Sequence, residues 1–149
     1  MKSDELRPGY ETVFTITDYY DGPRKGIANY QGNPDLFESI FDEAKDGYSD
    51  VFRLTPPDKV SFQLAMEDWE IRRGWEIAFH DIKTDIISHP ALPHEAGRHA
   101  ELKRILDNVL VTDLPRAISR IGVFEVLGTS GLPNGGIRPL QVKWIQPVY

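Results

Sequence analysis

Apolar and polar residues alternate along the first third of the chain, a pattern typical of half-buried β-strands. Residues 10–20 place Phe14 and Ile16 on one face and Tyr19 on the other, and the same parity puts Tyr20 on the inward face. Turn signals separate three further short predicted strands, at residues 26–30, 36–41 and 50–54. Closely spaced strands of this kind predict an antiparallel meander.

The hydrophobic period changes after the segment Thr55-Pro56-Pro57-Asp58, which is typical of a helix start. A long helix is predicted from about Asp58 to Ile82, and a second helix from His94 to about Leu110. Two more strands are predicted beyond them, at residues 117–127 and 140–145, on either side of the glycine-rich segment 128–136.

The order of predicted elements is therefore four strands, two helices and two strands, within a single domain of residues 1–149. Neighbouring strands in such an order pair antiparallel, and the apolar faces of the helices need a layer to cover them. We expect an α+β fold with an antiparallel sheet or a partly closed barrel, and with the two helices packed at one side.

The predicted long helix is apolar on two faces, whereas an ordinary surface helix has a single apolar stripe. Phe62 and Trp69 share one face, and Leu64, Ile71 and Trp75 cluster on the opposite side. Burial between the sheet and the second helix is the simplest explanation. The alternative is that the face with Trp75 contacts a protein partner, and a homodimer is one specific form of this alternative.

Charged residues follow the apolar stripe of the same helix. Arg73 lies one turn from Trp69, within reach of a cation–π contact. Glu76 lies three residues after Arg73 and four before His80, so that the three can interact along the helix. This spacing is compatible with a structural network of paired charges and also with the floor of a binding pocket.

The four histidines fall in one window of the chain, at His80, His89, His94 and His99. Their spacing matches no metal-binding signature, and no cofactor fingerprint is present, so we predict neither a metal site nor a cofactor. A small hydrolase or metal-dependent enzyme that uses the His80–His99 window is an alternative, with Glu76 and His80 as an acid–base pair.

The most unusual stretch of the chain is the segment DYYDGPRKGIA. Its Asp21-Gly22-Pro23 core is typical of a tight turn, and turn chemistry leaves Asp18, Tyr19 and Arg24 as candidate polar and aromatic contacts. Together with the RPLQVKW ending, the segment resembles segments of small bacterial proteins of uncharacterised activity. The resemblance implies no activity that can be assigned to these residues.

Composition excludes some classes of protein. The net charge is −6 and the basic residues are scattered, which argues against a nucleic-acid partner. The absence of cysteine excludes a disulfide framework and a cysteine nucleophile. No apolar run approaches the ~20 residues that span a bilayer. We therefore expect a cytoplasmic protein with no membrane partner.

These observations favour a non-enzymatic binding or protein-interaction module over an enzyme, because no catalytic constellation is recognisable. The candidate binding residues are Asp18, Tyr19, Arg24, Trp69, Arg73, Trp75, Glu76 and His80. A further alternative is an acidic inhibitor or immunity-type protein that masks a basic partner, which the charge of −6 permits.

Overall fold

The computed structural model describes residues 6–81, 88–127 and 139–148, except for the side chain of His80. The strands are β1 (Glu11–Tyr19), β2 (Pro23–Tyr30), β3 (Asn33–Asp42), β4 (Gly47–Thr55), β5 (Ile118–Val126) and β6 (Leu140–Ile145). The long helices are α1 (Lys59–His80) and α2 (Ala96–Val109). The predicted end of the first helix at Ile82 and the glycine-rich segment 128–136 lie outside the described residues.

The six strands form a closed antiparallel barrel in which each strand pairs with its neighbours in chain order. Closure comes from β1 and β6, where Glu11 pairs with Val142 and Thr12 with Gln141. The α+β class and the barrel-like antiparallel sheet are confirmed, and the barrel is closed rather than partly closed. Because closure removes free strand edges, every strand has two hydrogen-bonded neighbours.

Aromatic side chains fill the barrel. Phe37, Phe52, Phe124 and Trp144 form one cluster whose ring centroids lie 5.4 to 6.0 Å apart, mostly in edge-to-face or tilted geometry. Such pairs contribute roughly 0.5–1.5 kcal/mol each beyond the area that they bury. The indole N–H of Trp144 donates to the Asn29 carbonyl at 2.9 Å, so its polar atom is satisfied.

Two glycines make room for these rings. A Cβ atom at Gly122 would lie 2.7 Å from the Trp144 ring. A Cβ atom at Gly26 would lie 2.0 Å from the Thr15 carbonyl oxygen and 2.8 Å from the Phe37 ring. Glycine is therefore required at both positions by close approach, because any side chain would overlap with packed atoms.

Strand β1 does not keep a regular alternation. Register shifts interrupt its pairing with β2, and Thr15 and Ile16 are both buried although they are consecutive. Tyr20 lies beyond the end of β1 and is 71% exposed, so the prediction that it faces inward is wrong. The parity argument assumes an uninterrupted pleat, and each β-bulge inserts a residue that reverses the faces beyond it.

Helix α1 is covered on both of its apolar sides by this chain. Phe62 meets Phe14 of β1 at 5.3 Å between ring centroids, and on the other side Ile71 joins a buried cluster with Ala91 and Leu102. Burial within the chain thus explains the two-faced pattern. Neither described helix is long and apolar enough to cross a membrane.

The environment of Trp75 bears on the predicted dimer. Its side chain stacks on Phe79 and donates its indole N–H to Ser88 Oγ at 2.8 Å. Trp75 is only 7% exposed, so this face of α1 is not a free surface for a second copy. The form of the dimer hypothesis that uses Trp75 as its contact is therefore wrong, whereas a homodimer through another surface stays a prediction.

Candidate functional site

A groove of about 600 Å³ lies between the β1–β2 hairpin, α1 and α2. We call it the helix–barrel groove, and the residues that give it its chemistry are Asp18, Lys25, Asp68, Trp69, Arg72 and His99. It exists because α1 packs on β1 while α2 packs on the opposite side of α1, which leaves a concave space beside the hairpin.

An aspartate–histidine pair lies in this groove. Oδ1 of Asp68 on α1 lies 2.6 Å from Nδ1 of His99 on α2, and the two side chains are 12% and 15% exposed. When the imidazole is neutral, the carboxylate accepts the Nδ1–H hydrogen bond and leaves Nε2 as the acceptor. Asp68 thereby fixes both the orientation of the ring and its tautomer. His99 Nε2 has no hydrogen-bond partner among the described residues.

Three further charged side chains in the groove make no hydrogen bond or ion pair within the described parts of the chain. Lys25 of β2 and Arg72 of α1 are half-buried, and Asp18 at the end of β1 is exposed at the rim. Lys103 of α2, in contrast, is paired with Asp107 at 2.9 Å. The unpartnered groups therefore include two cations in partly dehydrated positions and one solvated anion.

The groove also has apolar walls, to which Ala65, Trp69, Leu106 and Leu110 contribute. Pockets that bind small molecules combine such walls with a few polar groups that orient the ligand. The helix–barrel groove has this composition, because its apolar lining surrounds the ordered His99 ring and the two unpartnered cations.

The hydroxyl groups of the groove are engaged elsewhere. Oγ1 of Thr15 accepts the Ile27 backbone N–H at 3.0 Å, and the Thr17 hydroxyl donates to the Lys25 carbonyl at 3.3 Å. Neither hydroxyl is bonded to His99, and no serine lies among the described lining residues. The described groove therefore lacks a hydroxyl nucleophile coupled to the histidine.

The structure keeps part of the predicted helix cluster together. Trp69 lies between the helix–barrel groove and a smaller cavity of about 230 Å³, which Arg73 also lines. Arg73 pairs with Glu76 at 3.5 Å on the same helix, in agreement with the predicted spacing. The side chain of His80 lies outside the described residues.

The residues of the DYYDGPR segment also separate. Asp18 faces the groove, whereas Arg24 holds the turn by donating from Nε to the Tyr20 carbonyl at 2.7 Å and from Nη2 to the Asp21 carbonyl at 2.8 Å. The Arg24 guanidinium also lies 5.0 Å from the centre of the Tyr48 ring. The geometry of Arg24 thus supports the turn interpretation.

Exposed aromatic rings surround this turn. The exposed aromatic patch consists of Tyr19, Tyr20, Phe41 and Tyr48. Tyr48 meets Tyr20 at 6.3 Å and Phe41 at 5.3 Å between ring centroids. Tyr19, the remaining predicted contact of the segment, belongs to this patch and is not part of the helix–barrel groove.

Comparison of the chain with family models, with curated proteins and with solved structures finds no match. Within residues 6–81, 88–127 and 139–148, no group of three or more His, Asp or Glu side chains is arranged to hold a metal ion.

Proposed function

We propose that this chain is a non-enzymatic binding module whose ligand is a small molecule with an apolar body and one carboxylate or phosphate group. The observation that carries the proposal is the presence of Lys25 and Arg72, half-buried and unpartnered, beside the ordered Asp68–His99 pair. The groove volume of about 600 Å³ falls in the range of pockets that accept drug-sized ligands.

The charges of the groove favour an anionic ligand. Arg72 and Lys25 lie partly shielded from water, so an anion that pairs with them recovers interactions that burial has weakened. The guanidinium of Arg72 can hold a carboxylate or phosphate through two parallel hydrogen bonds. His99 Nε2 offers one further polar contact, and the Trp69 ring supports the apolar body of the ligand.

Titration calorimetry with phenylacetate tests this proposal, with the neutral phenylacetamide as the matched probe. We expect phenylacetate to bind the wild-type protein more tightly than phenylacetamide, because only the anion pairs with Lys25 and Arg72. Removal of a charge-assisted hydrogen bond costs about 1.5–3 kcal/mol, so Arg72→Ala should weaken phenylacetate binding about 10- to 100-fold.

Arg104→Ala is the matched control for this experiment. It removes the same charge from an exposed position on α2 that does not line the groove, so phenylacetate binding should be unchanged. Equal binding of the two probes, or equal phenylacetate affinity in Arg72→Ala and wild type, would contradict the proposal.

A second candidate function is a small hydrolase that uses the histidine window, with His99 as general base. The specific observation in its favour is the 2.6 Å Asp68–His99 contact, because an oriented neutral imidazole can take a proton from a reacting water. Since neither threonine hydroxyl of the groove is bonded to His99, water is the nucleophile in this version.

Hydrolysis of p-nitrophenyl acetate separates the two candidates. The binding proposal predicts no turnover above the rate given by the His99→Gln variant. If the hydrolase candidate is correct, the hydrolysis rate of the wild-type protein should exceed that of His99→Gln by about 100-fold or more. The control is His94→Gln, since His94 is exposed and lies outside the groove.

A further inference from the structure

A second cavity of about 600 Å³ opens at one end of the barrel, and an acidic side chain lies in its wall. Asp35 of β3 pairs with Ala28 of β2, a residue of the barrel core, so both face the barrel interior. Asp35 is only 7% exposed, and its carboxylate makes no hydrogen bond or ion pair within the described parts of the chain. A buried carboxylate without a partner is costly for the folded state.

The walls of this cavity are mostly apolar and aromatic. We call it the barrel mouth and define it by Tyr30, Asp35, Leu54, Phe62, Arg116 and Ile118. Phe62 lies in the first turn of α1, whereas the other residues come from the strands and from the short 3₁₀ helix Leu114–Arg116. Asp58 also lines the cavity, but its carboxylate already accepts hydrogen bonds from the backbone N–H and the hydroxyl of Ser61. Among the described lining residues, Asp35 is thus the acid without a partner, and a carboxylate beside the Tyr30 and Phe62 rings suits an organic cation.

The charged groups around Asp35 come from four elements. Glu11 of β1 faces it, and that carboxylate already accepts the backbone N–H groups of Gln31 and Gly32 at 3.0 and 2.8 Å. Burial and the negative charge of Glu11 raise the pKa of Asp35 to about 6. The acids Glu11 and Asp35 therefore favour a positive charge between them.

The nearby cations are directed elsewhere. Arg120 of β5 donates to the Tyr30 hydroxyl at 3.2 Å, and Arg116 at the rim pairs with Asp113 at 3.8 Å. Lys59 at the start of α1 is exposed at the rim, beside Asp58. None of these three cations reaches Asp35 within ion-pair distance.

We propose that the barrel mouth binds a primary amine with an aromatic or apolar substituent, whose ammonium group pairs with Asp35 and whose substituent packs against Tyr30 and Phe62. The site is distinct from the helix–barrel groove, and it selects the opposite ligand charge. The bound ammonium supplies the partner that the Asp35 carboxylate lacks in the free protein.

Calorimetry with benzylamine at pH 8 and pH 5 tests the proposal, with benzyl alcohol as the neutral probe. We expect benzylamine to bind at pH 8 and benzyl alcohol to bind at least about tenfold more weakly. Binding of benzylamine should weaken about tenfold at pH 5, because only about a tenth of Asp35 is ionised one pH unit below its pKa of about 6.

Two variants complete the experiment. Asp35→Asn should abolish the preference for benzylamine over benzyl alcohol, whereas Asp50→Asn, the same change at an exposed position outside the cavity, should leave it intact. Circular dichroism verifies that both variants are folded. If Asp35→Asn is not folded, the proposal is tested by the wild-type protein alone, through its binding of benzylamine at pH 8 and pH 5 and of benzyl alcohol. No benzylamine binding at pH 8, equal binding of the two probes, or unchanged selectivity in a folded Asp35→Asn would overturn the proposal.

Discussion

Replacement of Gly26 by alanine is expected to lower the free energy of unfolding by at least about 3 kcal/mol, or to prevent folding altogether. The added Cβ atom would lie 2.0 Å from the Thr15 carbonyl oxygen and 2.8 Å from the Phe37 ring. The first contact is with backbone of the adjacent strand, so relief requires β1 and β2 to separate. Urea denaturation followed by circular dichroism measures the loss.

Gly97→Ala is the control for the Gly26 substitution. Gly97 lies in α2, and a Cβ atom there would meet no atom within 4 Å, so alanine should be neutral or should stabilise the helix by up to about 1 kcal/mol. Equal urea midpoints for Gly26→Ala and wild type would show that β1 and β2 do not approach as closely as the structure indicates.

The second large effect concerns Asp35 and pH. The pKa of this carboxyl rises from 3.8 to about 6 on folding, because the side chain is buried and faces Glu11. Between these two values the folded protein binds more protons than the unfolded chain, so stability falls as pH rises from about 4 to about 6. Above pH 6 Asp35 is ionised in the folded protein, and this lowers the free energy of unfolding by its full amount. That amount is on the order of 2–3 kcal/mol, at about 1.4 kcal/mol per pKa unit.

Asp35→Asn removes this penalty. We expect the variant to be about 2 kcal/mol more stable than wild type at pH 8 and no more stable than wild type at pH 4, measured by urea denaturation at both values. Carboxyls with a lowered pKa, such as those of Asp58 and Glu67, lose stabilising contacts in acid in both proteins. Their contribution therefore cancels in the difference in unfolding free energy between Asp35→Asn and wild type. Lower stability of Asp35→Asn at pH 8 would contradict this account.

The types of the elements could be predicted from the sequence because hydrophobic period and turn residues are local signals. The predicted first helix from about Asp58 corresponds to α1, and the last predicted strand coincides with β6. Closure of the barrel was not determined by such signals, since the pairing of Glu11 with Val142 joins opposite ends of the chain. The outward position of Tyr20 was missed because the alternation of apolar and polar residues along β1 does not show where its β-bulges lie.

The candidate site was only partly predictable. Asp18 and Trp69 were selected from the sequence and do line the helix–barrel groove. Asp68 and His99 lie 31 positions apart on two helices, and only the packing of α1 against α2 brings them together. No local sequence pattern predicts a contact between two residues so far apart in the chain.

Asp35 was missed for a different reason. The residues Gln31-Gly32-Asn33-Pro34 are typical of a turn, and this signal places Asp35 outside the predicted strand at 36–41. In the structure β3 already begins at Asn33, so Asp35 pairs with Ala28 and enters the barrel. The alternation of β3 would have identified an acidic residue on the inward face if the strand had been extended by three residues.

The central claim is that the helix–barrel groove is a ligand site, and a ¹H–¹⁵N NMR titration with phenylacetate tests it most directly. The account predicts shift changes concentrated at groove positions, among them Lys25, Trp69, Arg72 and His99. The same titration of Arg72→Ala should show much smaller changes. Shift changes confined to the exposed aromatic patch around Tyr48, or no changes in the wild-type protein, would contradict the claim.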